Sequence, residues 1–227
     1  SPWASAIDAD IADSLEFIEL VCRRLPPVEL PLLPDTQQAV VIFTDASGDK
    51  RAGGVAPSGH MGFVVYHPEY GTVNANAAVP AHLVDMFDRM AERETYIGQF
   101  EMLAAVTPFV SLPAHWLAGR PIELWIDNTG AVGALLKGYT GVPDCARLVN
   151  MFHFAVARLG VTSLWIDYVP SESNPADVPS RLPEMSAAEA RVAMRDLGRP
   201  VTMRLPEFAT AEGEWLPFAH IAASLWG

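Results

Sequence analysis

Two rhythms of apolar residues run along this chain: short solid apolar runs, and longer stretches where they recur every three or four positions. Ile7, Ile11, Leu15, Ile18, Val21 and Leu25 follow the second rhythm, so residues 5–25 are expected to form an amphipathic helix. Pro26, Pro27, Pro31 and Pro34 then forbid helix and predict an extended connector. Residues 39–44 are rich in β-branched side chains and read as a strand ending at Asp45. Gly48, Gly53, Gly54 and Gly59 mark a turn, residues 61–66 form the next strand, and the weak alternation over 72–79 gives a third. Short strands joined by Gly-rich turns predict an antiparallel meander.

From residue 81 to 110 the rhythm turns helical. Leu83, Met86, Phe87 and Met90 make one stripe, expected to be core, and Phe100, Leu103, Ala104 and Val106 make another. Residues 122–126 read as a strand ending at Asp127, residues 129–136 as a short helix, and residues 144–159 as a longer helix closed by Gly160. Residues 163–169 form a strand, 170–175 a loop and 186–197 a last clear helix, while the Pro-broken tail to Gly227 has no readable pattern. Three strands, helix, strand, helices, strand, helix is the order of a mixed α/β layered sheet, not of a bundle or a sandwich.

Composition narrows the function classes. Of 227 residues, half are hydrophobic, which excludes a disordered or low-complexity chain. No apolar run approaches the roughly 20 residues of a membrane-crossing helix. The net charge of −12 argues against a protein that coats nucleic acid through bulk electrostatics, though not against an enzyme whose acids hold metal. Cys22 and Cys145 form no CxxC pair and no disulfide framework, so a reducing compartment, cytoplasmic or nuclear, is expected. The opening Ser1-Pro2-Trp3 reads as a piece cut from a longer chain.

The candidate chemistry lies in acids at predicted element boundaries. Asp45 closes the first strand and Asp127 the fourth, so both carboxylates emerge at one sheet edge if those strands are neighbours. Glu101 sits on the helix between them, and Asp177 opens a short turn after the last strand. Four converging carboxylates repel one another unless cations lie between them. Oxygen-only donors suit Mg²⁺ or Mn²⁺ and not zinc, and two such ions about 4 Å apart are suited to in-line attack on a phosphodiester. Asp167 is the rival to Asp177, but strand alternation places it in mid-strand on the face of Trp165 and Val169. The six histidines show no ligand spacing.

These residues resemble a known family. Phe43-Thr44-Asp45-Ala46-Ser47-Gly48 resembles the first-strand motif of ribonuclease H, and Gln99-Phe100-Glu101-Met102-Leu103-Ala104-Ala105-Val106 its helical Glu motif. Asp127-Asn128-Thr129-Gly130-Ala131-Val132, continuing to Lys137-Gly138, is similar to the third motif. Tyr168-Val169-Pro170-Ser171-Glu172-Ser173-Asn174-Pro175-Ala176-Asp177, then Ser180-Arg181, resembles the closing motif of long-terminal-repeat and DIRS-type retroelement ribonuclease H domains. The resemblance spans roughly residues 40–182. It implies a ribonuclease H-like α/β fold: a mixed five-stranded sheet, three antiparallel strands then parallel ones, flanked by helices. The implied organisation is an N-terminal helix and connector over 1–38, a ribonuclease H-like domain over 39–182, and a C-terminal extension over 183–227.

The resemblance also implies roles. Asp45 would bridge two Mg²⁺ ions, for which Mn²⁺ would substitute. Asp127 and Asp177 would hold the ion that activates water, and Glu101 the ion at the leaving 3′ oxygen. Ala46, Ser47, Gly48, Asn128, Thr129 and Asn174 would face the substrate, with Lys137 and Arg147 near phosphate. The implied activity is hydrolysis of the RNA strand of RNA–DNA hybrids, with an upstream reverse transcriptase domain as partner. Residues 39–182 hold 14 acids and 9 bases, so a core whose four ligand acids are offset by two ions is near neutral, and grip on a duplex would come mainly from that partner.

The pattern departs from the family in three ways. The loop 170–176 has no histidine, Asp45 and Glu101 are 56 residues apart with an apparent inserted helix over 80–96, and no basic, Trp-rich helix follows Asp127. Two other functions compete: a non-catalytic scaffold of the same fold, and a related transposase or integrase nuclease. The acidic balance and the Asn174-to-Asp177 run count against the latter.

Overall fold

The computed structural model describes residues 9–25, 37–55, 57–206, 209–210 and 214–224. The first four residues of the helix expected over 5–25 and the four prolines from Pro26 to Pro34 lie outside the described residues. At the centre is a six-stranded sheet in the order β5-β4-β1-β2-β3-β6. Its strands are β1 (Val40–Gly48), β2 (Gly59–His67), β3 (Gly71–Ala78), β4 (Pro121–Ile126), β5 (Ser163–Tyr168) and β6 (Arg199–Pro200). The first three pair antiparallel, and β4, β5 and β6 join in parallel. This is the expected mixed α/β arrangement, three antiparallel strands joined by parallel ones, with one strand more. The sixth is a two-residue addition outside β3, where Asn74 Nδ2 donates to the carbonyls of Leu197 and Gly198 at 3.0 and 3.1 Å.

β1 runs three residues beyond its expected end at Asp45, because β2 begins at Gly59 and the ladder continues to the Gly48–Gly59 pair. Asp45 is therefore in mid-strand against β2, although the parallel pairing with β4 stops one residue before it, at Thr44–Ile126. The core lies on the sheet face of Val40 and Ile42, both fully buried. On the other face Phe43 stacks with Trp125 and Trp165 is 61% exposed.

Helices α2 (Ala81–Met90) and α3 (Ile97–Ser111) break the expected 81–110 stretch in two. The insertion is no loose appendage: Leu83, Val84, Met86 and Phe87 of α2 are buried, while Met90 is 40% exposed. α3 is apolar all round and buried over nearly its whole length, the pattern of a helix enclosed by protein on every side. α4 (Ala114–Leu117) precedes β4. α5 (Thr129–Lys137) ends in left-handed Gly138, and α6 (Pro143–Arg158) packs on α3. α7 (Asp177–Ser180) follows β5, and α8 (Ala187–Ala193) is shorter than expected, with Ser186 and Glu189 forming a capping box at its start.

The first helix, α1 (Ala9–Arg24), buries a different stripe from the one its periodicity suggests. Ile11, Leu15 and Ile18 are each more than half exposed, whereas Phe17 packs edge-on to Phe218 of α9 (Phe218–Ser224) and to Phe154 of α6. Asp13 accepts hydrogen bonds from the Phe218 and Ala219 N–H groups at 2.9 and 3.3 Å, tying the two ends of the described chain together. No helix among the described residues is long and apolar enough to cross a membrane. Cys22 is exposed and Cys145 buried, neither in a disulfide.

Candidate functional site

The parallel register of β1 and β4 brings Asp45 beside Asp127, since each follows the last paired residue of its strand. α3 crosses the same end of the sheet. Its Phe100 ring lies over Gly48 and Gly59, which leaves Glu101, one position on, facing the two aspartates. One oxygen from each of Asp45, Glu101 and Asp127 lies within 4.8 Å of the others. Asp45 and Glu101 are almost completely buried and Asp127 partly so.

The electrostatics follow from that crowding. Burial pushes the Asp45 carboxyl up to about 7, the negative charges of Asp127 and Asp177 add to the rise, and a hydrogen bond from Ser180 opposes it. Burial raises Glu101 well above the usual carboxylate range, with Asp45 and Asp127 adding to the effect and a hydrogen bond from the Ala46 N–H opposing it. Glu101 Oε2 is buried without a hydrogen-bond partner. A buried carboxylate oxygen left unpaired costs several kcal/mol in a protein interior, so this arrangement works against folding and marks a site. The donors are all carboxylate oxygens, with no nitrogen or sulfur among them, and one Glu101 oxygen has no hydrogen-bond partner. They fit a hard divalent cation such as Mg²⁺ or Mn²⁺.

Asp177 falls outside that mutual set but near enough for its charge to act on Asp45. It opens α7, which lies directly on β2. A Cβ at Gly62, the residue paired with Asp45, would stand 2.5 Å from the Ser180 nitrogen and 2.9 Å from the Ala176 oxygen. Only glycine permits this approach. Gly62→Ala is expected to cost about 1–3 kcal/mol by forcing α7 off the sheet. Thermal melting in chelator measures it, and an unchanged midpoint would contradict the close packing.

The segment after β5 also supplies polar partners for the acids. Ser171 Oγ donates to Asp127 Oδ2 at 2.7 Å, Ser180 Oγ donates to Asp45 Oδ2, and Arg181 Nε donates to Asp177 Oδ1 at 2.6 Å. The sequence shows these three residues but not their partners, because each depends on where the segment docks. The histidine-free loop thus places a serine hydroxyl on Asp127. Asp167, the next-to-last residue of β5, accepts from its neighbour's N–H and is not one of the three clustered acids.

The residues expected to face substrate divide. Gly48 and Thr129 are exposed, and Ser47 is half-buried with its hydroxyl on the Ser180 carbonyl at 2.7 Å. Asn128 caps α5 by accepting from the Ala131 N–H at 3.0 Å. Ala46 and Asn174 are both buried, so for Ala46 the expected contact is one its backbone would make. Asn174 Nδ2 donates to the Thr44 carbonyl and its Oδ1 accepts from the Ala176 N–H, so it pins the loop to β1 beside Asp45. Lys137 is exposed. Arg147 is half-buried: its guanidinium lies over the Trp215 ring and donates to the Leu216 carbonyl at 3.4 Å.

No protein-family profile and no curated protein sequence matches the chain. Among solved structures, the chain is similar to RNase H1 from the halophilic archaeon Halobacterium salinarum NRC-1, with a TM-score of 0.48 and 18% identity over 65% of this chain and all of that one. It is also similar to the N-terminal RNase H domain of Rv2228c from Mycobacterium tuberculosis, solved as a fusion with maltose-binding protein, with a TM-score of 0.43 and 13% identity over 70% of this chain and all of that one.

Proposed function

We propose that the chain is a metal-dependent endonuclease that hydrolyses the RNA strand of RNA–DNA hybrids, acting as the ribonuclease H part of a retroelement reverse transcriptase. The observation that carries this reading is the meeting of Asp45, Glu101 and Asp127, distant in sequence, at one largely buried point where Glu101 also keeps a carboxylate oxygen without a hydrogen-bond partner. Their all-oxygen chemistry suits two Mg²⁺ ions or Mn²⁺, which would polarise the scissile phosphate and lower the pKa of the attacking water. In this reading Asp45 would be shared between the ions, Asp127 and Asp177 would hold the one that activates water, and Glu101 would hold the one by the leaving 3′ oxygen and the ribose 2′-OH, the group that separates RNA from DNA. Gly48 and Thr129 form the exposed rim over which an RNA backbone would pass.

The four-motif resemblance, with its Asn174-to-Asp177 closing run, supports the retroelement context and an upstream polymerase domain as partner. The acidic balance of the chain is consistent with a duplex held mainly by that partner, inside a reducing cytoplasmic or nuclear compartment.

The test is cleavage of labelled RNA–DNA hybrid, duplex DNA and duplex RNA in Mg²⁺. Only the hybrid is expected to be cut, leaving 5′-phosphate and 3′-OH ends. Asp127→Asn should lower the rate by at least ~10³-fold, the equivalent of about 4 kcal/mol. Cutting of duplex DNA, or hybrid cutting unchanged in the variant, would overturn the reading.

A further inference from the structure

Every acid of the site has one oxygen already engaged by the chain itself. Asp45 Oδ2 accepts from Ser180, Asp127 Oδ2 from Ser171 and Asp177 Oδ1 from Arg181. Glu101 accepts from the Ala46 N–H, and its Oε2 is unpaired. Three of these four donors come from the single stretch 171–181. That stretch is itself held in three places. Asn174 ties it to the Thr44 carbonyl, Ser47 Oγ donates to the Ser180 carbonyl, and the bare Cα of Gly62 lets the Ser180 backbone settle on β2. Ser180 is fully buried, so its hydroxyl has no competing water, whereas Ser171 is exposed.

We propose that Ser180 and Ser171 are positioning residues that each occupy one oxygen of Asp45 and Asp127, so that every acid presents its other, single oxygen to the ions. The inference rests on the metal-site reading above. A carboxylate free to rotate offers either oxygen or both, and its arrangement around a cation changes with each rotation. A hydroxyl donor fixes the plane of the group and removes the two-oxygen option, much as donors behind a metal-bound histidine fix its ring. With Asp45 and Asp127 held in this way, each would offer a cation the one oxygen that no serine engages. The segment 171–181 therefore acts as the assembling element of the site: its docking sets three carboxylates at once.

The experiment is calorimetric titration of Mn²⁺ into the unaltered chain and into Ser171→Ala, Ser171→Thr and Ser180→Ala, without nucleic acid, with circular dichroism to confirm the fold. Ser171→Ala is expected to weaken Mn²⁺ binding by roughly 10- to 100-fold, and Ser171→Thr, which keeps the hydroxyl at an exposed position, to restore it. Ser180→Ala should weaken binding to a similar or greater degree. If it fails to fold, the Ser171 pair decides the matter alone. Hybrid cleavage gives a second readout: the alanine variants should lose rate at fixed Mn²⁺ and recover much of it when Mn²⁺ is raised, with KM for the hybrid unchanged. If the unaltered chain binds Mn²⁺ and Ser171→Ala binds it equally, the positioning role is overturned while the metal site stands. If the unaltered chain binds no Mn²⁺, the reading of the site fails, and this inference with it.

Discussion

Asp45→Asn is expected to abolish hybrid cleavage and, in chelator at pH 8, to make the protein more stable. Asp45 is 2% exposed, and burial among other acids raises its carboxyl from an ordinary 3.8 to about 7. The folded state therefore binds this proton more tightly than the unfolded chain does. The stabilisation is fully present below pH about 4, declines as pH rises towards 7, and is gone above it. A separation of that size corresponds to on the order of 4 kcal/mol. Asparagine keeps an oxygen for the Ser180 hydroxyl and carries no charge to bury, so the variant escapes this decline. Thermal melts between pH 4.5 and 8 in chelator should show the unaltered protein falling relative to the variant. Mn²⁺ should then raise the melting temperature of the unaltered protein and leave the variant's nearly unchanged. Parallel pH curves for the two would refute the account.

The second large effect lies away from the site. Arg93→Ala is expected to destabilise the protein by roughly 3–5 kcal/mol. Asp144, at the start of α6, has no solvent exposure. Its carboxylate accepts from Arg93 Nη1 and Nη2 at 2.6 and 3.4 Å, from Gln99 Nε2 at 3.0 Å and from the Cys145 N–H at 2.9 Å. These bonds join the α2–α3 turn, α3 and α6. Removing the arginine leaves a buried charge with only neutral donors, and such a charge is far costlier than the intact pair is favourable. The contrast to measure is Arg93→Met combined with Asp144→Leu, which removes both charges and should cost clearly less than Arg93→Ala. Urea unfolding midpoints decide it, and a single variant no worse than the double would contradict a buried, charge-dependent tie. Because α3 also carries Glu101, the single variant should weaken Mn²⁺ binding as well.

Much of this architecture is legible in the residue pattern. The apolar runs before Asp45 and Asp127 mark strands, because a β-branched run bounded by turn residues satisfies strand geometry almost regardless of context. Phe100, Leu103 and Ala104 mark a helix for the same local reason. Less legible were features set by competition between elements. β1 outruns its expected end at Asp45 because β2 offers partners up to Gly59, which no property of residues 45–48 announces. The stripe Ile11, Leu15 and Ile18 has helical spacing yet stays exposed, since α1 turns Phe17 towards Phe218. Asn174 stands out in its motif, but that it is buried and ties the loop to the Thr44 carbonyl is seen only in the fold.

The order of strands and helices, the acids at their boundaries and the absence of nitrogen or sulfur donors near them were contained in the sequence, because each depends on neighbours a few positions away. Which acids meet, and which oxygen of each stays available, were decided by the tertiary structure alone. Those facts rest on the parallel register of β1 with β4 and on hydrogen bonds such as Ser47 to Ser180, 133 positions apart. Local periodicity says that a strand or helix forms and which face is apolar. It carries no information on register between distant elements, and it is register, set by packing the whole sheet against α3 and α7, that turns scattered carboxylates into a site.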